Sequence, residues 1–60
     1  MTQQMTVREI RSVLFNYGYY TVIGDTEMTN KESRDFLYAF ENQDCVFNVI
    51  ENYTHLLIWS

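Results

Sequence analysis

Hydrophobic positions along the chain fall into short clusters separated by polar, turn-like segments. The clusters are Val13–Phe15, Tyr19–Ile23, Phe36–Phe40, Cys45–Ile50 and Leu56–Trp59. The segment from Thr29 onward predicts a helix. Thr29 is an N-cap, Glu32 three residues on completes a capping box, and Glu32 and Asp35 suit the positive end of the helix dipole. The helix is expected from Asn30 to Phe40 or Glu41, where Asn42 can take up a left-handed conformation and stop it. Residues 45–50 and 55–59 read as strands around the turn-like "ENYT", and so predict a hairpin.

Residues 6–16 support two readings. Thr6 and Glu9 form a second capping box, and Met5 and Ile10 are placed for a hydrophobic staple, which argues for a helix. Val13-Leu14-Phe15, then "NYG", then the strand-forming "YYTVI" argue for a hairpin in which Gly18 takes positive φ. The strand composition on both sides of "NYG" favours the hairpin. Residues 1–5 are polar and expected to be loose. The fold class expected is α+β: one 60-residue domain, a small antiparallel sheet with one main helix packed on it.

A chain of this size buries little surface, and with one cysteine it has no internal disulfide. Ten aromatic residues in 60 then point to a homodimer. Within the predicted helix, Phe36, Leu37, Ala39 and Phe40 cover an arc of roughly 160°, wider than packing on one sheet requires. Tyr38 falls on the opposite side, among Lys31, Arg34 and Glu41. One edge of this helix is therefore expected on the sheet and the other against a second protomer or a partner.

The net charge of −4 is unevenly spread. Arg8, Arg11, Lys31 and Arg34 balance Glu9, Asp25, Glu27 and Glu32, whereas Asp35, Glu41, Asp44 and Glu51 follow with no further Lys or Arg. This distribution opposes nucleic-acid binding and fits a basic protein partner. No apolar stretch approaches a membrane span, and the start of the chain lacks signal-peptide character. The single cysteine suggests a reducing compartment, so a cytoplasmic protein is expected. No nucleophile–base pair, metal-ligand set or phosphate-cradling glycine loop is evident, and neither enzyme activity nor a cofactor is expected. Cys45 reads as a small hydrophobe and His55 as an edge-strand residue.

Tyr19-Tyr20 with Gly24, Asp35-Phe36, Phe40 and the strand from Cys45 to Ile50 resemble the small dimeric inhibitors of uracil-DNA glycosylase from Bacillus phages. The likeness spans roughly residues 13–50. It implies a homodimer whose paired helices enclose an apolar cavity. That cavity captures the side chain which the host glycosylase inserts into DNA, while acidic groups stand in for phosphates. Phe36 and Phe40 would line it and Asp35 would lie at its rim. Leu37 stands where the family carries glutamate and Phe40 where it carries tyrosine, so Tyr38 or Glu41 would take over the polar role. The resemblance implies a host-cell cytoplasmic inhibitor that binds no DNA itself. The alternatives are an acidic module for another basic host protein, or a purely structural oligomer.

Overall fold

The computed structural model describes all residues, Met1–Ser60. It is an α+β fold of five strands and two helices. In chain order these are β1 (Gln3–Thr6), α1 (Val7–Asn16), β2 (Tyr20–Ile23), β3 (Thr26–Met28), α2 (Asn30–Tyr38), β4 (Val46–Asn52) and β5 (His55–Trp59). The sheet order is β1-β4-β5-β2-β3. All neighbours are antiparallel except β2 and β5, which run parallel with Thr21 opposite Leu56 and Ile23 opposite Ile58. The expected purely antiparallel sheet is therefore corrected to a mixed one. Each helix is a crossover: α1 links β1 to β2 across β4 and β5, and α2 links β3 to β4 across β2 and β5.

The expected hairpin at residues 13–23 is a helix followed by a strand. Local capping decided it. Thr6 Oγ1 accepts from Glu9 N–H at 3.1 Å, and Glu9 Oε1 accepts from Thr6 N–H at 2.8 Å. Val7, Ile10 and Leu14 then bury one stripe at helical spacing. The β-favouring run is split by the helix: Leu14 is buried, Val13 half-buried and Phe15 exposed. Gly18 does not adopt positive φ; Gly24, in the β2–β3 turn, does, at 61°. The N-terminal residues expected to be loose include β1, which pairs with β4 from Gln3–Val49 to Thr6–Val46.

The second helix begins as expected, with Thr29 and Glu32 in a reciprocal capping box. It ends at Tyr38, short of Phe40, with Ala39 as its cap. Both helices lie on one face of the sheet. The core between them is Val7, Ile10, Leu14, Leu37, Val49, Leu56 and Ile58, flanked by half-buried Met5, Val13, Tyr19, Ile23, Phe40, Cys45 and Phe47. A buried hydroxyl pair ties α2 to β2. Thr21 and Ser33 oxygens are 2.5 Å apart, and Ser33 Oγ donates to the Thr29 carbonyl at 2.7 Å. Neither helix is long and apolar enough to cross a membrane.

The two capping boxes predict acid sensitivity. Glu9 and Glu32 are held below the usual carboxylate value, first by the cap backbone N–H and then by the cap hydroxyl. A pKa depressed in the folded state stabilises the fold above the unfolded value, and that contribution is lost as pH falls through the folded value. Melting temperature is expected to fall below about pH 4.5, and less steeply in Glu9→Gln/Glu32→Gln, which still caps but does not titrate there. Equal pH profiles in thermal melts would show that the boxes do not contribute.

Candidate functional site

The two sheet faces differ. Side-chain alternation sends Phe47, Val49, Leu56, Ile58 and Thr21 under the helices. The helix-free face carries Tyr20 and Val22 from β2, Val46, Asn48, Ile50 and Asn52 from β4, and His55, Leu57 and Trp59 from β5. Tyr20, Val46 and Trp59 are 46%, 53% and 39% exposed on this face. Its ionisable groups pair with each other: His55 Nε2 lies 2.6 Å from Glu27 Oε2, and its Nδ1 2.9 Å from Thr54 Oγ1. Tyr20 packs on the His55 ring at 5.4 Å.

On the helix side, an open cleft of about 610 Å³, lined mainly by hydrophobic residues, lies between β1, α1 and the β4–β5 hairpin. Met5, Val13, Tyr17, Tyr19, Val49 and Leu56 line it, with Glu51 on its rim. The Tyr17 and Tyr19 rings meet at 5.9 Å, and the Tyr19 hydroxyl donates to Glu51. Glu51 thus places a carboxylate at the cleft. Such a cleft is chemically suited to an apolar side chain presented by a partner, with a polar or cationic group beside it.

The expected site residues are dispersed. Asp35 is exposed and paired with Lys31 Nζ at 3.1 Å. Phe36 is 43% exposed, and Phe40 is half-buried beyond the end of α2. Phe40 meets Phe36 edge-on at 5.7 Å and Phe47 at 5.8 Å, making a small aromatic ladder. Tyr38 lies beneath Arg11 of α1, whose guanidinium is 4.5 Å from the ring centroid. Glu41 is exposed. Phe36 and Phe40 are thus together, as expected. Tyr38 faces α1, and neither Phe36 nor Phe40 lines a cleft within the single chain. The cleft residues were hidden from sequence reasoning, because the cleft exists only once β1 pairs with β4 and α1 replaces the expected strand.

The chain matches no known protein family, and no curated protein or solved structure resembles it closely enough to show a relative.

Proposed function

We propose that this chain is a stoichiometric, non-catalytic inhibitor that binds a host uracil-DNA glycosylase as a DNA mimic. In this reading it acts in the host-cell cytoplasm and takes up the enzyme's DNA-inserting apolar side chain. The observation that carries the proposal is the Met5–Leu56 cleft: seven of its nine lining residues are hydrophobic and a carboxylate stands on its rim. The resemblance at Tyr19-Tyr20, Gly24, Asp35-Phe36 and Phe40 supplies the target. The receptor for the inserted side chain moves from the Phe36–Phe40 ladder to this cleft, which needs no second protomer. Asp44, Glu41 and Glu51 supply charge for a basic DNA-binding surface.

Titration into a uracil-excision assay tests the proposal. Inhibition should be complete near equimolar chain, and the association rate should fall as salt rises. Full excision at a tenfold molar excess of chain would sink the glycosylase reading and leave an acidic module for another basic protein.

Homodimerisation, proposed here on the helix-free sheet face, rests on a separate observation. The accessible surface of 4256 Å² is close to the roughly 4,100 Å² expected of a compact 7 kDa monomer. The single chain is as compact as a monomer of its mass, and the proposed dimer would join two such folds. The sheet face offers exposed Tyr20, Val46 and Trp59 and a single carboxylate, Glu27, which is hydrogen-bonded to His55, so two acidic chains would meet there with few opposing charges. Sedimentation equilibrium at about 10–100 μM should show a dimer, and Trp59→Ser should shift it to monomer. A monomer across that range removes the dimer from the proposal.

A further inference from the structure

The chain has four Lys and Arg residues, and three of them line one groove. Arg8, Ser12, Phe15 and Asn16 lie on the side of α1 away from its buried Val7–Ile10–Leu14 stripe, Arg11 borders that stripe, and Arg34 of α2 closes the far side. The groove measures about 350 Å³, and no acidic residue lines it. The ion pairs of the chain are Lys31–Asp35 and His55–Glu27, so all three guanidinium groups lack a carboxylate partner. In a chain of net charge −4, such convergence opposes the overall field.

The arginines are also positioned. Arg11 lies over the Tyr38 ring at 4.5 Å, and Arg34 lies 6.0 Å from the centroid of Phe15. Arg34 Nε donates to Asn30 Oδ1 at 2.9 Å, which leaves its terminal nitrogens for another acceptor. Arg11 Nε is buried and has no hydrogen-bond partner. Because Nε is shielded, the Arg11 head group that lines the groove would meet an oxyanion through its terminal nitrogens.

We propose that this groove binds a mononucleotide through its phosphate. Planar guanidinium forks match phosphate oxygens in pairs. Phe15, 76% exposed at the groove, offers its ring to a base by stacking. Ser12 and Asn16 supply hydroxyl and amide groups for the sugar. A groove of this volume lies at the low end of small-ligand sites, about 300–1,000 Å³, and suits one nucleotide better than a strand. The site shares no lining residue with the Met5–Leu56 cleft, so it stands or falls independently of the inhibitor reading.

The test is calorimetric titration of the whole chain with adenosine monophosphate, pyrophosphate and adenosine at physiological salt, together with NMR of the arginine Nε–H groups. The expected result is one saturable site for the monophosphate, with a dissociation constant below about 1 mM and a shifted Arg11 Nε–H signal. Pyrophosphate should bind more weakly and adenosine not measurably. Arg8→Gln, at an exposed position, should weaken binding at least tenfold with the melting temperature unchanged, and Arg34→Gln should weaken it as much with a small loss of melting temperature, because its bond to Asn30 Oδ1 goes too. Absence of saturation by about 10 mM, or affinity unaffected by Arg8→Gln, overturns the site. Equal or tighter affinity for pyrophosphate overturns the nucleotide assignment.

Discussion

Asn30→Asp is expected to destabilise the protein by about 3 kcal/mol, although it places an acid in the first turn of a helix. The local rule points the other way, since a carboxylate at a helix N-terminus is ordinarily favourable by about 0.3–1 kcal/mol. The wider geometry decides the sign. Asn30 Nδ2 donates to the carbonyls of Leu14 at 2.9 Å, Tyr17 at 3.1 Å and Tyr19 at 2.8 Å. Those oxygens belong to the last turn of α1 and its link to β2, so one amide group closes the end of α1 and fixes how the chain enters the sheet. Two N–H bonds serve three acceptors, and at least one is shared. Aspartate removes both donors and points anionic oxygen at three carbonyls, a cost only partly offset by a charge-assisted bond from Arg34 Nε, which already donates to Asn30 Oδ1 at 2.9 Å. Stability of a 60-residue domain is of order 3–9 kcal/mol, so the loss is a large part of the total. The melting temperature should drop by about 12–24 °C. Asn30→Ala, which removes the donors without adding charge, should lose about half as much. A thermal melt in which the Asp variant equals or exceeds wild type would show that the helix dipole, and not the three-carbonyl cap, governs this position.

Asn30 also shows where sequence reading stops. Its place at the start of a helix is legible from Thr29 and Glu32, because a capping box is a local signal three residues long. Its three long-range bonds reach 11 to 16 residues back, to a helix end the sequence pattern had placed inside a hairpin. The same division holds elsewhere. The α+β class, α2 and the β4–β5 hairpin were readable from capping, alternation and turn residues. The parallel pairing of β2 with β5 was not, since Thr21, Ile23, Leu56 and Ile58 alternate identically for either direction. The "VLF" run misled because β propensity describes fit to a pleated surface, whereas Val7, Ile10 and Leu14 had already committed the segment to a helical stripe. Of the expected site, the Phe36–Phe40 neighbourhood was visible at spacing four. The relation of Tyr38 to Arg11 was not, because it required a second helix beside the first.

If the chain inhibits a uracil-DNA glycosylase through the Met5–Leu56 cleft, as proposed, Val13→Trp should leave the fold intact and weaken that inhibition at least thirtyfold, about 2 kcal/mol. Val13 is half-buried on α1 and borders both the core and the Met5–Leu56 cleft. The cleft is open and has room for an indole, so the larger side chain can turn into it without entering the packed core. An indole there would occupy the space offered to the partner's apolar side chain and stand beside the Glu51 carboxylate. The comparison variant is Phe36→Ala, on the exposed end of the aromatic ladder. If the cleft is the receptor, Phe36→Ala changes inhibition by less than about threefold, a rim-like effect. If instead Phe36→Ala abolishes inhibition while Val13→Trp is silent, the partner is held by the α2 patch that the family resemblance implied. Circular dichroism and a thermal melt on each variant separate these outcomes from unfolding. Val13→Ala completes the test by widening the cleft: it should cost stability of about 1–2 kcal/mol yet retain inhibition at temperatures where it stays folded. Blocking and widening then have opposite consequences for binding, a pattern that a general loss of stability does not produce.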